Sequence, residues 1–384
     1  MDEEVKENLI DKIFFKKYRC IEYIGEGSFS QIIKVEYNNK YYAMKVEDIR
    51  KKQKLLSNEA SMMIYLKCPN IPYIVTYGSS GGFNILTMQL LGSNLQSVFE
   101  REGTFSIKTV CLLAYQILSV LEHIHNKGVI HRDIKPENFL LGNEAESNSK
   151  YLYLIDFGLS KFFDKNNFND ILTNKKKLTG TPRYASINAQ RGFEQSMRDD
   201  LESVGYMLIY FLKGKLPWMG IEGKDQIEKN KKICIRKIET SSSDLCYGLP
   251  KQFVEYFDYC KELEFHQMPD YSMLKELFMK MLRSENEKFD YIYDWDVDKK
   301  YKKKKFDNLG FYCRSVELGE GEGEGNANLD GKNKPIGKQG LNYTDMVKQM
   351  ENDLNDKNKK VNDDKENEEK NKKEEKKSSF CFIF

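Results

Sequence analysis

The run IKTVCLLAYQILSVLEHIHNKGVIHRDIKPEN, residues 107–138, constrains this chain more than any other stretch. Val110, Leu113, Ala114, Ile117, Leu121 and Ile124 recur at the spacing that turns one stripe of a helix toward an apolar core. Gly128 stands where such a helix ends in a left-handed cap. A polar loop with Asp133, Lys135 and Asn138 follows at once, so a long buried helix delivers charged and amide groups directly at its end. Burying it needs sequence on both sides. A chain of 384 residues, 40% of them hydrophobic, is long enough for two compact units or for one large unit with an appendage.

The flanks differ in character. In the first ninety residues YRCIEYIGEG and QIIKVEYNNKYYAMKVE alternate apolar and polar residues, with Asn38-Asn39 as a hairpin turn. From KKQKLLSNEASMMIYLK the pattern turns helical. The expected class is therefore α+β, a small β-rich lobe followed by a larger helical one. Near residue 300 the composition shifts to KKYKKKK, then GEGEGEG, then a mixture of Lys, Glu, Asp and Asn. Such a segment buries too little apolar surface to offset its ordering entropy. Residues 303–380 are expected to be mostly disordered, with LNYTDMVKQMENDL as a short helix.

Several classes recede. No apolar run approaches a membrane span, and the acidic start MDEEVKENLIDK lacks the apolar core of a secretory signal. The eight cysteines include no C-x-x-C pair and read as reduced thiols, which points to cytosol or nucleus. The net charge of +2 is the balance of 61 basic and 59 acidic residues and argues neither for nor against nucleic acid.

Chemistry concentrates in a few motifs. GEGSFSQI, residues 25–32, links two expected strands, and its glycines let backbone N–H groups approach a polyphosphate. A Gly-rich turn without a ligand reads equally well, the more so because Ser30 replaces the third glycine of G-x-G-x-x-G. Lys45 lies in the apolar strand YYAMKVE. It is either an edge-strand lysine facing water or an ammonium aimed at phosphates and held by a carboxylate, with Glu59 on the next helix as partner. IDFG, residues 155–158, follows the strand-like YLYLI, and Asp156 suits a magnesium ligand at the mouth of a cleft.

Taken in this order, glycine loop, strand lysine, helix glutamate, HRDIKPEN and DFG, the chain resembles the protein kinases over residues 18–300, with an N-lobe to about residue 90 and a C-lobe from 91 to 300. The resemblance implies a bilobal fold, ATP with Mg2+ between the lobes, and transfer to protein hydroxyls. It places Ile24, Gly25, Glu26, Gly27, Ser28, Ile32, Ala43, Lys45 and Glu59 at the ATP site, joined by Met88, Gln89 and Leu91 of the interlobe hinge. Those three serve equally as simple core packing between lobes. It gives Asp133 the substrate hydroxyl proton and Lys135 the charge of the phosphoryl group in flight, with Asn138 and Asp156 on magnesium. A pseudokinase scaffold is the competing class, although Lys45, Asp133 and Asp156 are all retained.

Ala185-Ser186-Ile187-Asn188 stands where most such enzymes carry Ala-Pro-Glu, and RGFEQSMRDDLESVGY follows. With LLGSNL, PDYSML and YIYDWDV, this resembles the casein kinase 1 family; the tubulin-directed and vaccinia-related branches are the alternatives. The resemblance implies a monomer acting on acidic or pre-phosphorylated proteins, with no nucleic-acid partner. Arg183 would read the substrate anion, with Lys232 as its partner and Lys176 beside it, although both lysines also fit a solvated surface run. Asp200 would be the buried carboxylate anchoring the catalytic loop, or a helix cap. Gln89 and Pro182 depart from the family pattern, where Glu and a small residue are usual. The terminal CFIF sets Cys381 at a prenylation position, with Phe384 favouring geranylgeranyl, or is a chance cysteine. On the first reading the enzyme is cytoplasmic and tethered to membrane faces, with nuclear access open.

Overall fold

The computed structural model describes residues 8–26, 30–50, 55–146, 148–163 and 177–297. Gly27, Ser28, Lys176, Cys381 and the whole of the charged tail, with its expected helix, lie outside the described residues.

The N-lobe is a sheet of six strands in the order β1-β2-β3-β4-β6-β5, all antiparallel. They are β1 (Ile13–Phe14), β2 (Tyr18–Glu26), β3 (Gln31–Tyr37), β4 (Lys40–Asp48), β5 (Ile74–Ser80) and β6 (Phe83–Gln89). Asn38 and Asn39, with φ of 50° and 58°, close β3 onto β4, and Tyr37 pairs with Lys40. A two-residue hairpin matched to strand twist needs positive φ at both central positions, which asparagine tolerates. Helix α1 (Leu55–Leu66) lies against one face of this sheet.

Side chains alternate across a strand, so β4 serves two cores. Met44 and Val46 join Ile33, Val35 and Ile85 in an outer cluster. Ala43 joins Leu86 and Met88 in the main core, and Lys45 shares its face. Because β4 is paired on both sides, by β3 and β6, the reading of Lys45 as an edge lysine facing water does not hold. Leu9 and Phe14 are buried in the outer cluster, so residues ahead of Tyr18 also take part in the lobe.

The C-lobe is built on α2 (Leu95–Glu102) and α3 (Ile107–Asn126), followed by the short strands β7 (Val129–Ile130), β8 (Phe139–Leu141), β9 (Leu152–Leu154) and β10 (Lys161–Phe162). Then come α4 (Ile187–Gln190), α5 (Met197–Lys213), α6 (Gln226–Glu239), α7 (Ser242–Leu245), α8 (Gln252–Glu262) and α9 (Tyr271–Ser284). By length and composition α3 is apolar enough to cross a membrane, which corrects the expectation that no run nears that length. Here α5 and α9 cover it, and it is the spine of the lobe. Ser106 caps its start, and Gly128 (φ 71°), the expected end signal, donates to His125 O at 2.9 Å. The end of the described domain returns to the same helix. Asp294 accepts from Ser106 N (2.7 Å) and Ser106 Oγ (2.8 Å), while buried Tyr293 accepts from Gln116 Nε2 and donates to Lys150 O.

Candidate active site

Four elements deliver the polar residues. From β4, Lys45 reaches Glu59 of α1, with Nζ to Oε1 at 2.6 Å, and both residues are buried. Asp156 Oδ1 stands 3.8 Å from the same ammonium. Burial alone would push Lys45 down, but the two carboxylates outweigh it and hold the ammonium above its ordinary value. Burial also works against ionised Asp156, and Lys45, His131 and Lys135 overcome it, keeping this carboxyl below the usual range. On Glu59 burial prevails and pushes its carboxyl up, with Lys45 opposing.

Asp156 follows β9 with φ 66°, an uncommon conformation for a side-chain-bearing residue, and Phe157–Leu159 then turn in a single 3-10 coil. The β8–β9 hairpin brings Asn138 beside it, because Ile155 N donates to Asn138 O at 3.0 Å.

Asp133 sits in the loop after α3, buried and held from several directions. Its Oδ1 accepts from Thr181 Oγ1 at 2.8 Å, and Lys135 Nζ lies 2.7 Å from Oδ2. Asn138 Nδ2 donates to Asp133 O at 2.8 Å, which leaves the amide oxygen as the acceptor that a hard cation would use. The loop itself hangs on Asp200 of α5. That buried carboxylate accepts from His131 N (2.7 Å), Arg132 N (2.9 Å) and His125 Nε2 (2.9 Å). Arg132 takes φ 69°, so two consecutive N–H groups converge on one carboxylate. His131 Nε2 donates to Ile155 O at 3.1 Å, which ties this loop to the Asp156 strand. The helix-end role belongs to the neighbour: Asp199 Oδ2 accepts from Ser196 N at 2.7 Å at the start of α5, and burial pushes the Asp199 carboxyl up to about 6.

A protein kinase domain model matches residues 18–288. The chain belongs to the protein kinase family. Casein kinase I homolog 2 of Schizosaccharomyces pombe is 41% identical over 284 residues, a match covering 72% of this chain and 65% of the relative's length. That likeness supports the casein kinase 1 family as the branch to which this kinase domain is similar.

The remaining expected residues of the kinase domain are placed as follows. Ile24 is exposed on β2, Gly25 and Glu26 pair with Ile32 and Gln31 at the base of the glycine loop, and Ala43 and Met88 are buried as partners across β4 and β6. Leu91 is half-buried just past β6. Gln89, expected at the ATP site, is buried at the end of β6. Its Nε2 donates to Glu146 Oε2 at 2.7 Å, so the amide ties the hinge to the loop after β8.

Ser186 Oγ caps α4 by accepting from Ala189 N and also donates to Asp199 Oδ1 at 2.6 Å, which explains the serine of Ser-Ile-Asn. Arg183 is held by its main chain, where Trp218 Nε1 donates to Arg183 O at 2.8 Å, and its guanidinium lies over the Tyr184 and Tyr210 rings. Lys232, on the exposed face of α6, pairs with Glu228 (3.3 Å) and donates to Glu222 O. The lysine that meets the Arg183 loop is Lys237, which donates to Pro182 O (2.9 Å) and Ala185 O (2.5 Å) and faces the Trp218 and Tyr206 rings. Ile233, Cys234 and Lys237 share the buried face of α6, a helical spacing that the surrounding lysines hide.

Burial pushes the Lys237 ammonium down to about 7, with Glu202 resisting. A lysine whose folded value is depressed costs stability below it, and that cost fades as pH rises from about 7 toward the unfolded value of 10.5. Lys237→Met should therefore flatten the pH dependence of unfolding across that window, by about 2–4 kcal/mol at about 1.4 kcal/mol per unit. Urea titrations at pH 7 and pH 10 on both proteins check it, and parallel pH dependences would contradict it.

Proposed function

We propose that this chain is a Ser/Thr protein kinase of casein kinase 1 type, transferring the γ-phosphoryl group of ATP to a substrate hydroxyl. The observation that carries the reading is Asp133, buried and oriented by Thr181 and Lys135 beside the Lys45–Glu59–Asp156 cluster. Phosphoryl transfer asks mainly for positioning and charge neutralisation, and these residues supply both. Lys45, fixed by Glu59, meets the α- and β-phosphates. Asp133 orients the attacking hydroxyl and accepts its proton, with Thr181 holding its Oδ1 and Lys135 its Oδ2. Lys135 lies against Asp133 and balances charge on the group in transit. Asn138 and Asp156 are hard oxygen donors that would hold Mg2+, which would supply positive charge to neutralise the phosphates. One carboxylate and one amide fit that ion, which normally takes its remaining ligands from phosphate and water.

For the substrate we infer a preference for acidic or pre-phosphorylated sequences, read by Arg183. Its planar fork suits a phosphate, and the Tyr184 and Tyr210 ring centroids lie 5.8 and 5.7 Å from it. Arg183→Ala should lower kcat/KM on a phospho-primed peptide about 10–100-fold, the worth of a charge-assisted pair. The unprimed neutral peptide should change less than about threefold. Equal losses on both peptides would limit Arg183 to holding the loop.

A further inference from the structure

The Lys45–Glu59 pair and the Asp156 turn come from different lobes, so something must keep them in register. Asn58, next to Glu59 on α1, points at the turn. Its Nδ2 lies 3.2 Å from Phe157 O, 2.9 Å from Gly158 O and 3.1 Å from Ser160 O. One amide nitrogen is thus shared among three main-chain carbonyls, all in the segment that follows the left-handed Asp156. A residue in that conformation persists only where its surroundings over-determine it. Leu55 packs on Gly158 from the same helix turn.

The rest of α1 is pinned too. Glu47 accepts from Leu56 N at 3.3 Å, and at the other end Leu66 O accepts from His123 Nε2 (3.0 Å) and Lys127 Nζ (2.6 Å). Glu47 of β4 thus ties the helix to the N-lobe sheet, while Asn58 near its start and Leu66 O at its end tie it to the C-lobe. A shift of α1 that opened Lys45–Glu59 would also break the three Asn58 contacts.

We propose that Asn58 is a positioning residue, which couples α1 to the Asp156 turn so that Glu59 and Asp156 are set together. This rests on the kinase reading above. Its side chain bonds main-chain carbonyls after Asp156, so it acts through Asp156 and Glu59. An apolar residue of the same size would leave the carbonyls without their donor, and aspartate would set a carboxylate against them.

The test uses the full chain and its variants Asn58→Leu and Asn58→Asp, assayed on casein peptide with Mg·ATP. We expect kcat to fall about 10–100-fold in both, the range for losing hydrogen bonds that order a reacting geometry. Peptide KM should stay within about twofold, while the Mg2+ concentration for half-maximal rate rises severalfold, because the metal-side aspartate is what loosens. Asn58→Gln, which restores a donor, should recover part of the rate. Rates within twofold of wild type in both variants would overturn the proposal. So would a kcat loss with an unchanged Mg2+ requirement and a thermal midpoint lowered in proportion, since that is general destabilisation. Inactivity of the wild-type chain would instead remove the kinase reading, a separate outcome.

Discussion

Asp156→Asn should abolish Mg·ATP-dependent transfer, lowering kcat by about 10³-fold or more while the protein stays folded. The substitution keeps the size and one acceptor oxygen but removes the negative charge 3.8 Å from Lys45. Lys45 retains Glu59 at 2.6 Å, so the lobe packing has no reason to fail. What disappears is the anionic oxygen donor that Mg2+ prefers to a neutral amide. Wild-type-like circular dichroism with no incorporation of labelled phosphate is the expected pair of results. Retained transfer would sink the assignment of Asp156.

Asp200→Ala should do more damage, because it removes the support of the loop and not a group within the site. Three donors converge on that carboxylate: His131 N, Arg132 N and His125 Nε2. Losing it strands two backbone N–H groups and an imidazole in a dry environment, a penalty of about 3–5 kcal/mol. The loop carrying Asp133 loses its register at the same time, so activity should fall with stability. Asp200→Asn offers an acceptor to only part of this set and should fall between. Burial opposes ionisation of Asp200, but His125 and the loop N–H groups prevail and hold its carboxyl below the usual range. A depressed carboxylate contributes stability above its unfolded value and loses it as pH falls through the folded one. The wild type should accordingly lose part of its margin over Asp200→Ala in acid, readable as converging urea midpoints below about pH 4.

Local chemistry made some features legible. Asn38-Asn39 and Gly128 could be read directly because each meets a dihedral demand that few residues satisfy. Lys45 stood out because an ammonium inside an apolar strand needs a reason, and Glu59 lay at the right distance along the next helix. The partners that hold these groups were not readable. Thr181 and Asn58 are ordinary polar residues whose roles depend on which carboxylate or carbonyl the fold brings near, across 48 and about 100 residues of chain. Lys237 had a readable position on the apolar face of α6, but the lysines around it hide that spacing. The resemblance placed Gln89 at the ATP site, but its side-chain partner Glu146 is set by a loop 57 residues away and could not be read. Leu9 and Phe14 gave too short an apolar signal to show that the outer cluster starts before Tyr18.

The clasp of Asp294 on Ser106 joins positions 188 residues apart. A ribosome makes α3 well before it makes residue 294, so the spine of the C-lobe emerges with its first turn lacking that partner. The lobe is closed only when almost the whole domain has been synthesised. Until then α3, apolar and long, depends on its neighbours or on a chaperone for cover.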